Sequence, residues 1–190
     1  MPFILASASP RRLSLLKQIN ITPDSVLPAD INEDPIEGEV PRGHALRLAS
    51  EKCQTISQTH SDDLILSADT VVGVGRRILP KAETVEQAEY CLDLLSGRSH
   101  RVFTGIAVYS PEKGLQSKVV ETRLKLKRIS ADERRYYLES KEWEGKAGGY
   151  GIQGYAESFI ESLSGSYSNV VGLPLLETHH LLQHHGLVAQ

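Results

Sequence analysis

Asp69 stands inside an otherwise aliphatic run, Leu64-Ile65-Leu66-Ser67-Ala68-Asp69-Thr70-Val71-Val72. A carboxylate there is costly unless it is paired, binds a metal, or faces a cleft. Ligands of open α/β sheets gather at strand ends, so Asp69 is the first candidate for chemistry. The alternative is that Asp69 caps a turn and the run is two strands. A second candidate is Ser7-Ala8-Ser9-Pro10-Arg11-Arg12, where a short apolar run meets a helix start. Free backbone N–H groups, the positive end of a helix dipole, the Ser7 hydroxyl and two guanidiniums together suit a phosphate chain. A capped helix with two solvated arginines is the plainer reading.

Three further groups could complete such a site. The stretch Asp30, Glu33, Asp34, Glu37, Glu39 offers carboxylates that a hard divalent cation would take. By itself it reads as a solvated loop; beside Asp69 and a phosphate site, Glu33 becomes a metal partner. Lys52 and Lys81 are each able to neutralise a phosphate as a point charge, although surface lysines are common. Lys146-Ala147-Gly148-Gly149-Tyr150-Gly151-Ile152-Gln153-Gly154 lets backbone approach a ligand closely, and the Gln153 amide can meet a base edge as donor and acceptor. The plainer reading is a flexible loop.

Other chemistries are not supported. No G-x-x-x-x-G-K-[ST], H-E-x-x-H or G-x-S-x-G occurs. His179-His180 and His184-His185 could pair at i, i+4 on zinc, but a wet last helical turn is the reading adopted. Two cysteines, Cys53 and Cys91, give no disulfide framework and suit reduced thiols in the cytoplasm.

These residues need elements to hold them. Phe3–Ala6 reads as a buried strand, and Ser9 as the N-cap of a helix running from Pro10 to about Asn20. A second strand is expected near Ser25–Leu27. A Pro- and Gly-rich loop then leads to a helix over 41–57 with Ala45, Leu48, Ala49 and Ile56 on one side. Leu64–Val74 reads as a central strand and 76–80 as a hairpin return. A helix over 84–95 buries Val85, Ala88, Cys91, Leu92 and Leu95. Strands follow at 99–109 and 116–128. Ser130 and Glu133 form a capping-box signature for a helix to Ser140. A strand near 158–163 and a helix near 173–185 complete the chain.

With 190 residues, 40% apolar and 24% charged, the chain is long enough for a full core, and one domain over 1–190 is expected. No apolar run is long enough for a signal peptide or a membrane span, so a cytoplasmic protein without membrane contact is expected. The net charge of -3 and 6% aromatics argue against a nucleic-acid binder.

Taken in order, Ala-Ser-Ala-Ser-Pro-Arg-Arg (6–12), Ala-Ser-Glu-Lys (49–52), Ser-Ala-Asp-Thr-Val-Val (67–72), Leu-Ser-Gly (95–97), Lys-Ala-Gly-Gly-Tyr-Gly-Ile-Gln-Gly (146–154) and Gly-Ser-Tyr-Ser-Asn-Val-Val-Gly-Leu-Pro (165–174) resemble the Maf family of nucleoside triphosphate pyrophosphatases. The resemblance spans essentially the whole chain. It implies an α/β, Maf/ITPase-like fold: an elongated mixed β-sheet flanked by helices, in two lobes with a central cleft. It also implies a homodimer and a divalent cation, Mg²⁺ or Mn²⁺. Thr70 and the Tyr-Gly-Ile-Gln-Gly string resemble the branch that prefers dTTP and UTP.

Carried over, Asp69 is the proton acceptor, Arg11, Thr70 and Gln153 select the base, and Ser7, Arg12, Glu33, Lys52 and Lys81 form the polar cleft for phosphates and metal. Glu33 and Asp69 would place the cation. Ala8, Ala82 and Gly145 depart from the family pattern without removing a catalytic group. The competing class is a nucleotide-sensing or nucleic-acid-binding regulator of cell division without turnover, for which the basic residues Arg123, Lys125, Lys127, Arg128, Arg134 and Arg135 speak.

Overall fold

The computed structural model describes residues 1–187. Its main sheet has seven strands: β1 (Phe3–Leu5), β2 (Ser25–Val26), β3 (Leu64–Val74), β4 (Arg77–Leu79), β6 (Ser99–Ser110), β7 (Gly114–Leu126) and β9 (Ile160–Ser164). Their order is β2-β1-β3-β6-β7-β9, with β4 also on β3. β1 runs parallel to both β2 and β3, and the other pairs are antiparallel. A separate two-stranded ribbon joins β5 (Lys81–Ala82) to β8 (Lys146–Ala147).

β3 is continuous through Asp69, which excludes the two-strand alternative. One edge of β3 is paired with β6 from Ile65 to Gly73. The other edge meets β1 at residues 64–66 and β4 at 72–74. Residues 67–71 have no strand partner on that edge, which leaves a gap in the sheet beside Asp69 and Thr70. The functional position is therefore mid-strand: β1 stops at Leu5 while β3 runs on.

The two faces of the sheet are covered differently. Helix α2 (Pro41–Ser57) covers one face, where Ala49, Cys53 and Ile56 meet Ile4, Ile65 and Ala107. It lies so close that a Cβ on Gly105 would stand 2.1 Å from the Ala45 carbonyl oxygen. The opposite face packs on α1 (Pro10–Gln18), α3 (Val85–Leu95), α4 (Ala131–Ser140) and α6 (Leu175–His184), with Leu16, Leu92, Tyr137 and Leu182 fully buried. The expected capping box of Ser130 with Glu133 forms, and a second one, Thr84 with Gln87, starts α3.

Several expectations are corrected. Ser9 occupies the N-cap of α1, but its side chain makes no capping bond; the Ser7 hydroxyl accepts from the Ser9 N–H instead, at 3.3 Å. Val85 is exposed, because it sits in the first turn of α3 and points off the core. The strand expected near 158–163 forms as β9, starting at Ile160 after a 3₁₀ turn (Tyr155–Phe159). The expected C-terminal helix forms as α6; a short helix not expected from the sequence, α5 (Tyr167–Val171), precedes it and ends where Gly172 adopts φ 132° ahead of Pro174. His185 is buried against the Ser110 hydroxyl at 2.7 Å and is not a wet end residue. No group of three metal-binding side chains occurs among the described residues. Nor is any described helix long and apolar enough to cross a membrane.

Candidate active site

A cleft of about 610 Å³ lies over the gap in β3, between the main sheet and the β5–β8 ribbon. Ser7, Arg11, Arg12, Glu33, Lys52, Asp69, Thr70, Lys81 and Gln153 all line it. The chain thus brings together, from six separate stretches, all nine residues carried over from the family resemblance, while Asp30, Asp34, Glu37, Glu39 and the C-terminal histidines do not line the cleft.

The acidic and basic side chains form a linked row. Lys52, carried by α2, places Nζ 2.6 Å from Asp69 Oδ1 and 2.6 Å from Glu33 Oε1. Glu33 Oε2 in turn lies 2.6 Å from Lys81 Nζ. Lys52 and Asp69 are nearly covered, whereas Glu33 and Lys81 stand at the mouth. Burial pushes the Glu33 carboxyl up, but hydrogen bonds from Lys52 and Lys81, and their charges, outweigh it and hold the group at about 2. Asp69 Oδ2 accepts no hydrogen bond among the described residues, so one carboxylate oxygen is anchored and the other is open to the cleft.

Glu33 sits on a loop that α2 ties down. Arg47 donates to the Asp34 carbonyl at 3.0 Å and clasps Glu39 at 2.8 and 2.9 Å. His44 Nδ1 lies 2.8 Å from the same carboxylate. These bonds hold Glu39 at about 2, with Arg47 the main cause. In the sequence Glu39 stands out only as one of a row of carboxylates and Arg47 not at all; no local pattern marks their pairing.

The two arginines divide their work. Arg12 is turned inward: Nε donates to the Gly172 carbonyl at 2.9 Å, Nη1 to Ser7 Oγ at 2.7 Å, and Nη2 to Thr70 Oγ1 at 3.4 Å. Two of its five N–H donors remain. Arg11 has no hydrogen bond or ion pair among the described residues and is free to meet a ligand. Thr70 is held from behind by Thr104 Oγ1 at 2.9 Å, and Thr104 itself donates to the Asn169 carbonyl at 3.0 Å.

The glycine-rich segment is built into the fold. Gly148 and Gly149 take φ of +68° and +66°, and a Cβ on either would press on Val72 or on Ala88 and Cys91. The segment then presents Tyr150 and exposed Gln153 to the cleft. Lys146, which sequence reasoning did not single out, also lines the cleft; burial and the charge of Arg11 lower its pKa. Its aliphatic stem lies where a Gly151 side chain would be.

A divalent cation fits this donor set. The Lys52 ammonium draws Glu33 and Asp69 to the same side of the cleft, and both offer the hard oxygen ligands such an ion takes. Two carboxylates leave the remaining positions to water and substrate phosphates, which is how Mg²⁺ is usually held at phosphate sites.

A model of the Maf-like protein family matches residues 2–185. The chain belongs to the Maf family. It is 57% identical over 179 residues to a dTTP/UTP pyrophosphatase of Caulobacter vibrioides, covering 94% of this chain and 93% of that protein. It is 58% identical over 180 residues to a protein of the same description from Maricaulis maris, covering 94% and 86%. A third, from Bradyrhizobium diazoefficiens, is 55% identical over 186 residues, covering 95% and 89%.

Proposed function

We propose that this Maf protein hydrolyses dTTP and UTP between the α- and β-phosphates, giving the nucleoside monophosphate and pyrophosphate, with Mg²⁺ or Mn²⁺. The observation that carries this reading is the Asp69–Lys52–Glu33–Lys81 row on the wall of a cleft that also holds Arg11 and the start of α1. The full-length relatives described as dTTP/UTP pyrophosphatases supply the substrate class.

The residues divide the task. Arg11, Lys81 and the N-terminus of α1 take the negative charge of the triphosphate and stabilise the charge that builds on phosphorus oxygens. Arg12 fixes Ser7, Thr70 and Gly172 relative to one another and keeps two donors for phosphate. Lys52 fixes Asp69 by Oδ1, leaving Oδ2 to orient a water and accept its proton. Glu33 and Asp69 would hold the cation, which when bound supplies Lewis-acid stabilisation and a more acidic water. Thr70 and Gln153 face the base. On the same reading the enzyme is cytoplasmic and a homodimer.

Much of the positive charge that favours a nucleic-acid-binding regulator is neutralised within the protein. Lys125, Lys127, Arg134 and Arg135 each meet a carboxylate, on Glu161, Glu133, Asp93 and Asp132. The deciding experiment incubates the purified chain with the canonical and modified triphosphates plus Mg²⁺ or Mn²⁺, and measures pyrophosphate, monophosphate and orthophosphate separately. Equimolar pyrophosphate and monophosphate from dTTP and UTP are expected. Orthophosphate with diphosphate, or no turnover, would overturn the reading.

A further inference from the structure

His100 is a buried histidine that the mechanism above does not use. It is 2% exposed and does not line the cleft. Its Nε2 lies 2.7 Å from the hydroxyl of Tyr150, and the two rings meet edge to face with centroids 5.5 Å apart. Its Nδ1 is buried without a partner. Burial drives its pKa down to about 4, so the ring is neutral near pH 7 and brings no charge to the cleft. An apolar ring would fill this place without an orphaned nitrogen. What the imidazole adds is the bond to Tyr150.

Tyr150 opens the Tyr-Gly-Ile-Gln string. Its side chain lines the cleft, and Gln153 follows three residues later. The string is fixed at two neighbouring points, Tyr150 by His100 and the Gly151 N–H by the Tyr137 hydroxyl at 3.3 Å. On β6, His100, Val102 and Thr104 alternate onto one face, all buried. Thr104, at the far end of that row, holds Thr70. One strand therefore grips both stretches that face the base, and four residues of β6 set the spacing between the grips.

We propose that His100 is a positioning residue for base selection: through Tyr150 it fixes the Gln153 segment at a set distance from Thr70. This rests on the pyrimidine triphosphatase reading above. The loss of one buried hydrogen bond is felt as a loosened base pocket, while the Asp69–Lys52 pair is left in place.

The test compares full-length wild type with His100→Phe, Tyr150→Phe, the double variant and His100→Gln, whose amide can still reach the tyrosine hydroxyl. In His100→Phe, kcat/KM for dTTP falls about tenfold, mainly through KM, and the preference for dTTP over dCTP narrows by a similar factor. The double variant is no worse than His100→Phe within about twofold, because both changes remove the same bond. His100→Gln recovers part of the preference. An unchanged dTTP/dCTP ratio, or losses that multiply in the double variant, overturns the proposal. If His100→Phe does not fold, Tyr150→Phe, which keeps both rings, decides by the same ratio. If wild type prefers a different base, the substrate reading falls, and the ratio for that base against its nearest rival still decides the role of His100.

Discussion

Asp69 and Thr70 are neighbours on β3 and project to opposite faces of the sheet, yet both line one cleft. Asp69 meets Lys52 on the α2 face, and Thr70 meets Arg12 on the α1 face. This is possible only because the edge of β3 is bare between β1 and β4. A ligand lying across that bare edge can touch both faces of the sheet. Under the proposed function, one end of the cleft is given to proton transfer and the other to recognition.

Replacing Asp69 by Asn removes the proton acceptor and keeps the shape. Lys52 keeps Glu33 as a partner, so its ammonium is not stranded. Stability should fall by no more than about 2 kcal/mol, below the usual cost of breaking a buried ion pair. Turnover of dTTP should fall at least about a thousandfold. Steady-state pyrophosphate release and a urea melt measure the two effects. Near-normal turnover would remove Asp69 from the mechanism.

Lys81→Met separates binding from folding. The Lys81 side chain is 49% exposed, and its ion pair with Glu33 is of the kind worth less than about 1 kcal/mol. The melting midpoint should barely move. The KM for dTTP should rise about tenfold or more, because a phosphate loses a point charge. An unchanged KM would mean that Lys81 serves only to hold Glu33.

Much of this was legible in the sequence because the signals are local. The aliphatic run around Asp69 marks its strand, Pro10 the start of α1, the apolar spacing of Ala88, Cys91, Leu92 and Leu95 the helix α3, and the Ser130–Glu133 capping box the start of α4. Long-range geometry was not legible. No local pattern says that β1 ends at Leu5 beside a strand that continues, or that Arg12 turns inward to the Gly172 carbonyl, 160 residues away. The β5–β8 ribbon has two residues per strand, too few for periodicity to show. A C-terminal histidine doublet has the local pattern of a solvated helix end; it is Ser110, on a strand 75 residues away, that buries His185.

Gly105 and Gly43 should respond to alanine in opposite directions. Gly105 pairs with Asp69 across the sheet, and its Cβ would stand 2.1 Å from the Ala45 carbonyl oxygen and 2.6 Å from the carbonyl carbon. Backbone cannot yield as a side-chain tip can, so α2 must lift and carry Lys52 with it. Gly105→Ala should cost about 3 kcal/mol and lower turnover as well. A Cβ on Gly43, in the first turns of α2, meets nothing closer than Val40 Cγ2 at 3.9 Å. Gly43→Ala should therefore gain about 0.5 kcal/mol with normal activity. Urea midpoints for the pair test the closeness of α2 to the sheet; equal effects would refute it.

Acid should weaken the protein first through its buried histidines. The pKa of His100 is about 4 in the fold, below its ordinary 6.5. Between those values the unfolded chain binds the proton and the folded protein does not, so stability rises with pH. The contribution is complete above about pH 6.5 and is lost as pH falls toward 4. His185, also lowered by burial and by the charges of His184 and Lys113, adds in the same direction. Glu33 acts later: held at about 2 against an ordinary 4.5, its contribution is present above 4.5 and is lost as pH falls from there toward 2. Urea unfolding from pH 7.5 to 4.5 should therefore show wild type losing about 2 kcal/mol more than His100→Phe between pH 6.5 and 4.5. Glu33→Gln should follow wild type over that range and separate from it only when the series is carried below about pH 4.5. A His100→Phe curve parallel to wild type would show that His100 is not held neutral in the fold.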